Sequence, residues 1–317
     1  MLRDAWPWLR RLLTAGFIGL TLALLAMQLR TLDADQLGAT LSRFPLQALA
    51  AGAAFSALSY AAYCGFDLLG RRYTRHRLKT RQVLALGFVS HAFALNLGAA
   101  GVGLRFRAYG RLGVKTGTVA RLWLVCFVSN WLGFLVLAGL LLALQLGGTP
   151  FGATFDTKAS PALLQAIGCA FLGAALAYFV LCGLSRVRSC TLFGQTLRLP
   201  SLRFALMQCG LSVLQWSMIA AALFALLQQA VPFVTVLGVL LVCAMALAVV
   251  DVPGGLGVTE AVFIALLGGQ MAIAALVSAL LVYRLVYYLG PLLLAGLAYL
   301  RLEVGTAGRG GGIAHGR

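Results

Sequence analysis

The chain has 317 residues, of which 61% are hydrophobic and only 10% are charged, and its formal net charge at pH 7 is +17. A soluble domain usually carries about 25% charged residues, and it has too little interior to bury so much apolar surface. The composition therefore excludes a soluble globular protein and predicts an integral membrane protein.

The lysines and arginines lie almost wholly between the hydrophobic runs, as in residues 71–81. Short interhelical loops of this kind contain no soluble nucleic-acid-binding module. Basic residues near a bilayer surface are attracted to anionic lipid headgroups by about 1 kcal/mol each. We therefore expect membrane lipids, chiefly anionic ones, as partners, and no nucleic acid.

Six hydrophobic runs are long enough to cross a bilayer as helices, since a span needs about 20 apolar residues. They cover residues 12–29, 46–70, 119–146, 162–184, 204–229 and 272–300. Together they predict a single transmembrane domain over residues 1–304. The glycine-rich residues 305–317 are predicted to form a disordered tail.

Two further apolar segments, residues 82–103 and 233–269, are interrupted by glycine or proline. Non-helical backbone at membrane depth survives only where protein or a water-filled cavity surrounds it. Both segments are therefore predicted to be re-entrant hairpins. The residues assigned to the breaks are Asn96, Gly101 and Gly103 in the first, and Pro253, Gly254, Gly255 and Gly257 in the second.

The distribution of basic residues supports these hairpins. Loops 71–81 and 105–121 are both strongly basic, and basic loops stay on the cytoplasmic side. Both loops can lie there only if segment 82–103 enters the membrane and returns. The same reasoning makes segment 233–269 re-enter from the other face, with the N- and C-termini both cytoplasmic.

The order of predicted elements occurs twice along the chain. Span, span, hairpin and span make up residues 1–146, and the same series recurs over residues 160–304 with the opposite starting face. This is an inverted-topology repeat, as in many secondary transporters. The predicted fold class is an all-α polytopic membrane protein with about six full spans and two hairpins, or eight segments.

Three stretches resemble a known family: residues 96–113 around the first break, residues 129–133, and Val252-Pro-Gly-Gly-Leu-Gly-Val-Thr-Glu260. The family is the lysylphosphatidylglycerol synthase transmembrane family, and the likeness is closest to its single-domain inner-membrane members. The resemblance implies a bacterial inner-membrane protein that translocates or handles a lipid. It does not carry over the synthase reaction, so we expect no enzyme activity.

Asp251 and Glu260 are acidic residues at predicted membrane depth beside the second break. Glu260 lies in the first turn of a half-helix, where the helix dipole favours a carboxylate; it is either a cap or part of a binding site. Asp251 lies at the opposite helix end and needs a cation. We predict that it pairs with Arg284, deep in the last span, as either a structural tie or a headgroup contact.

Arg105, Arg107 and Arg111 follow the first break. Arg107 and Arg111 have the spacing to share a helix face, and guanidinium groups bind phosphate in a bidentate manner. Ordinary topology charges are the alternative interpretation. His91 is interpreted first as a packing residue, with a proton carrier as the alternative. The tyrosines near Arg284 are also interpreted first as packing residues, with a role in lining a cavity as the alternative.

These residues predict a polar cavity between the hairpins, near Arg107, Asp251, Glu260 and Arg284, that receives a lipid headgroup. A non-transporting accessory or scaffold protein of envelope-lipid synthesis and a membrane-embedded lipid-modifying enzyme are the alternatives. No catalytic constellation, metal-ligand spacing or cofactor motif is visible. The sequence leaves homo-oligomer formation open.

Overall fold

A computed structural model describes residues 44–146, 160–184, 189–192, 195–250 and 252–307. The predicted first span at 12–29 lies outside these residues, as does the tail beyond residue 307. From Leu46 onward the described residues belong to one compact unit.

The described chain is nearly all helical. In chain order the helices are α1 (Leu46–Thr74), α2 (Thr80–Leu97), α3 (Ala99–Arg111), α4 (Thr116–Ala143), α5 (Pro161–Leu184), α6 (Leu202–Leu226), α7 (Phe233–Val250), α8 (Val258–Leu267), α9 (Ile273–Tyr283) and α10 (Gly290–Ala307). A 3-10 turn (Pro253–Gly255) precedes α8, and a π-helical segment (Arg284–Leu289) joins α9 to α10. Between α5 and α6, strands β1 (Ser189–Leu192) and β2 (Gln195–Arg198) pair antiparallel.

Six helical segments in the described part of the chain are long and apolar enough to cross a membrane: α1, α4, α5, α6, α7 and the continuous helix from Ile273 to Arg301. This confirms the predicted all-α polytopic class. Five of the six correspond to predicted spans. The sixth, α7, was predicted as one arm of a hairpin, and the short β-hairpin was not predicted at all.

The first interrupted segment folds into a pair of helices that reverses at Gly98. This glycine has φ 55° and ψ −129°, a backbone conformation that residues with a Cβ avoid. The rings of His76, just before α2, and Tyr109, near the end of α3, lie 5.8 Å apart between centroids. The chain therefore enters and leaves this hairpin at the same end, as the charge pattern predicted.

The break itself is shorter than the predicted one. Asn96 belongs to the last turn of α2, and both Gly101 and Gly103 lie within α3. Gly101 is nevertheless essential to the geometry, because a Cβ placed there would lie 2.5 Å from the Ala94 Cα. Such a close approach of two helix backbones requires the absence of a side chain.

The two glycines of α3 offer a matched test of this approach. Gly101→Ala should lower the free energy of unfolding by about 1–3 kcal/mol, because the added methyl group overpacks the hairpin. A Cβ at Gly103 has no neighbour within 4 Å, so Gly103→Ala should raise stability by about 0.5–1 kcal/mol through helix propensity alone. Thermal unfolding in one detergent compares the two variants. Equal effects would contradict the close packing of α2 and α3.

The second interrupted segment breaks over several residues. Gly254, Gly255 and Gly257 have φ values of 65°, 61° and 78°, a region that glycine enters without a steric penalty. A Cβ at Gly255 would lie 3.0 Å from a Leu247 methyl group, and α7 packs against α8. The ten-residue helix α8 therefore folds back on α7.

Helices α1 and α6 lie at the centre of the packing between the two predicted repeats. They are the second elements of the two predicted repeats, and they pack extensively against each other. Gly52 faces Leu226 while Gly65 faces Leu211, so the two helices run antiparallel. The hairpins also meet, since α2 packs against α10 and against the 3-10 turn of the second break.

Candidate functional site

A cavity of about 280 Å³ lies where the two hairpins meet the long helices. Its walls come from α1, α2, α4, α6, α7, α8, α9 and the π-helical segment, and they are mainly aliphatic and aromatic. Side chains with polar atoms in this lining include Tyr63, His91, Asn130, Gln215, Thr259, Tyr283, Tyr287 and Tyr288. An apolar cavity with a few convergent polar groups is typical of a small-molecule site.

Two polar atoms of the lining have no hydrogen-bond partner in the described protein. They are Nε2 of His91 and Oε1 of Gln215, and both are buried. An unsatisfied buried polar atom costs about 1–3 kcal/mol, so a bound group that donates to Gln215 would be stabilised here. The His91 ring is fixed by stacking on Tyr63, with 3.5 Å between centroids.

Three tyrosines at the π-helical segment both pack together and line the cavity. The rings of Tyr283 and Tyr287 are stacked at 5.2 Å between centroids, and Tyr288 is perpendicular to Tyr283. The Tyr287 hydroxyl lies 3.0 Å from Ser59 Oγ. Backbone carbonyls of the segment also accept side-chain hydrogen bonds, one of them from the Tyr60 hydroxyl. A π-helical turn breaks the regular bonding pattern and often marks a functional site.

Beside the cavity, Glu260 and Arg284 form a bidentate ion pair. Arg284 Nε lies 2.5 Å from Glu260 Oε1, and Nη2 lies 2.7 Å from Oε2. Glu260 Oε2 also accepts a bond from the backbone N–H of Gly257 at 3.0 Å. Glu260 therefore caps α8 and also holds an arginine, while its part in a binding site stays a prediction.

Arg284 also binds the backbone of the second break. Its Nη2 donates to the Gly255 carbonyl at 3.1 Å, and its Nη1 lies 3.4 Å from the Gly254 carbonyl. Arg284 is buried, with 8% of its surface exposed, whereas the Glu260 side chain is 25% exposed. The guanidinium thus ties the last long helix to both the loop and the start of α8.

Asp251 lies outside the described residues, so its pairing with Arg284 stays a prediction. The described partners of Arg284 are Glu260 and the two glycine carbonyls. These contacts already engage all three guanidinium nitrogens.

A second buried ion pair was not predicted. Arg105 on α3 donates to Asp67 on α1, with 3.1 Å between Nη2 and Oδ2, and the side chains are 3% and 0% exposed. The Tyr109 hydroxyl donates to Asp67 Oδ1 at 2.9 Å. Arg105 is therefore a second deeply buried basic residue in addition to Arg284. The available signal was the acidic Asp67 inside a predicted span, because such residues usually mark a functional site.

The two ion pairs flank the cavity on different sides. Arg105 is close enough to interact electrostatically with Tyr63 and His91 of the lining. Glu260 and Arg284 interact in the same way with Tyr288. Each hairpin thus contributes one charged residue to a pair next to the cavity, Arg105 from the first and Glu260 from the second.

Arg107 and Arg111 are half-buried on α3, and neither belongs to the described lining of the cavity. Of the predicted site residues, the structure brings Glu260 and Arg284 together. Their binding of a phosphate group stays a prediction.

The sequence matches a known family over most of its length. Residues 11–295, which include both hairpins and both ion pairs, match the lysylphosphatidylglycerol synthase TM region. The chain belongs to this family.

Two relatives in this family match most of the chain. Inner membrane protein YbhN of Escherichia coli (strain K12) is 36% identical over 301 residues, which are 94% of this chain and 93% of YbhN. An uncharacterized protein of Synechocystis is 29% identical over 270 residues, covering 81% and 80% of the two chains. The family resemblance predicted from three short stretches is confirmed. The chain is an integral inner-membrane protein with several spans.

Proposed function

We propose that this protein binds the headgroup of a membrane lipid in the cavity between the hairpins and carries it between leaflets without chemical change. The observation that carries the proposal is the cavity itself, with the buried and unpartnered atoms His91 Nε2 and Gln215 Oε1 in its wall. The position agrees with transporters in which broken helices of two repeats meet near the membrane midplane.

The size and chemistry of the cavity suit a headgroup rather than a whole lipid. About 280 Å³ is near the lower limit of small-molecule pockets, so the acyl chains would stay in the surrounding bilayer. A polar headgroup costs several kcal/mol to transfer into an apolar medium without hydrogen bonds. The polar groups of the lining would offset part of that cost.

The cavity by itself does not select an anion. Arg105 and Arg284 are the deeply buried basic residues beside it, and each is bound to a carboxylate. A headgroup would therefore meet neutral hydrogen-bonding groups unless an ion pair opened. The preference for anionic lipids that we expected from composition has its physical basis in the basic loops.

Lipid movement can be tested in vesicles that contain the purified protein and a phospholipid with a fluorescent acyl chain. An impermeant reductant bleaches only outer-leaflet label, so translocation raises the bleached fraction. Gln215→Leu should slow translocation about tenfold, since a lost hydrogen bond to a buried group costs about 1–1.5 kcal/mol. Gln165→Leu, an exposed glutamine on α5, is the matched control and should leave the rate unchanged.

Other outcomes distinguish the alternatives. No translocation by the wild-type protein would favour the accessory or scaffold role. A lipid product that differs chemically from the starting lipid, detected by mass spectrometry after incubation, would favour the enzyme. Equal slowing by both glutamine variants would show that translocation does not depend on this cavity.

A further inference from the structure

We propose that a second pocket, between the end of α1 and the start of α6, is a binding site for the phosphate of an anionic membrane lipid. This site uses different residues from the cavity between the hairpins. It does not depend on the proposed translocation.

The pocket is amphipathic. It encloses about 630 Å³, and one part of its lining consists of Arg71, Arg72 and Arg75. The other part is apolar and comes from both helices. Its main side chains are Leu68, Met207 and Leu211.

Among the side chains that the structure describes, no carboxylate pairs with the basic part of this pocket. The structure describes two acidic side chains, Asp67 and Glu260, and each is bound to an arginine elsewhere. Arg71 donates a hydrogen bond to the Thr80 hydroxyl, at 2.7 Å. Three guanidinium groups around one pocket favour the binding of an anion.

The position of the pocket along α1 places it at the edge of the bilayer. At 1.5 Å per residue, the 29 residues of α1 measure about 43 Å, longer than the roughly 30 Å hydrocarbon core. The last turn, with Arg71 and Arg72, then projects into the headgroup region, while Leu68 lies one turn deeper. The same end holds the start of α6, because the Tyr73 hydroxyl bonds to the Arg198 backbone just before it.

This geometry favours a lipid over free phosphate. Guanidinium groups bind phosphate oxygens through two parallel hydrogen bonds, and the adjoining leucines and methionine would contact an acyl chain. The negative end of the α1 dipole, equivalent to about half a charge, opposes an anion here. The positive charge of three arginines is larger than this partial negative charge. Arg75 follows the end of α1 in a left-handed backbone conformation, with φ 53°, and its side chain belongs to the lining of the pocket.

Lipid retention by the full-length protein in mild detergent tests the proposal. The probe lipid is phosphatidylglycerol, followed by native mass spectrometry and by the thermal shift on titration. The wild-type protein should retain it, with a smaller shift from zwitterionic phosphatidylcholine. The variant R71Q/R72Q/R75Q should bind phosphatidylglycerol at least about tenfold more weakly.

The loop supplies a matched control. R77Q/K79Q/R81Q removes the same three charges from exposed positions of the same loop, outside the lining of the pocket. It should keep wild-type binding. R72Q alone, at an exposed position, provides a variant with little risk to folding and should weaken binding about threefold or more.

Three results would overturn the site. Equal loss of binding in both triple variants would show diffuse attraction to the loop. If glycerol phosphate produced the same thermal shift as the lipid, the pocket would be a site for free phosphate and not for a lipid. Failure of the wild-type protein to retain phosphatidylglycerol would remove the site altogether.

Discussion

Asp67→Ala should lower the free energy of unfolding by about 3–5 kcal/mol, because it leaves the buried guanidinium of Arg105 without a counter-charge. Asp67 has no exposed side-chain surface, and Arg105 is 3% exposed, so solvent cannot replace the lost partner. Tyr109 would lose its acceptor as well. Thermal and denaturant unfolding in one detergent measure the change.

A graded series identifies the cause of that loss. Tyr109→Phe removes only one hydrogen bond to a charged group and should cost about 1.5–3 kcal/mol. The double variant Asp67→Leu/Arg105→Met removes both charges while filling their volume. It should recover most of the stability, since apolar replacement of a buried pair is often neutral. A double variant less stable than either single variant would contradict the pairing.

Glu260→Ala should lower stability by about 3 kcal/mol, at the lower end of the range for broken buried pairs, because Glu260 is 25% exposed. Arg284→Ala should cost more. It also releases the carbonyls of Gly254 and Gly255 and loosens the second break. Arg284→Lys should not restore stability, since an ammonium group cannot replace the bidentate fork. Unfolding in detergent measures each variant.

A double-mutant cycle tests which carboxylate couples to Arg284. Glu260→Ala/Arg284→Ala should be no worse than Arg284→Ala alone. Asp251→Ala, run in the same cycle, tests the pairing predicted from the sequence, which requires a coupling energy with Arg284→Ala. A coupling energy with Asp251 that exceeds the one with Glu260 would reverse this assignment.

Much of the architecture followed from the sequence for clear physical reasons. Hydrophobic length predicted the spans, because lipid requires about 20 apolar residues per helix. The Pro253 and glycine run predicted the second break, because proline interrupts helix hydrogen bonding and clustered glycines disfavour a helix. The basic loops predicted that the first hairpin returns to its starting end, which the contact of His76 with Tyr109 confirms.

The two ion pairs could not be predicted without knowledge of the fold. Asp67 and Arg105 are 38 residues apart, and they meet only because Gly98 reverses the chain and Gly101 lets α3 approach α2. Local helix-end reasoning placed Glu260 at a favourable position. It could not show that the left-handed glycines of the break aim their carbonyls at Arg284, which fixes that arginine beside Glu260. The orientation of Gln215 likewise depends on long-range packing.

The two ion pairs have an electrical consequence. Within the described residues, each pair contains one positive and one negative charge. A displacement of either pair as a unit therefore carries no net charge along the membrane normal, and the transmembrane voltage does no work on it. Separating a pair would expose each charge to about 2.3 kcal/mol per 100 mV across the full field. A rearrangement that keeps both pairs intact therefore draws no work from the membrane voltage through these four charges.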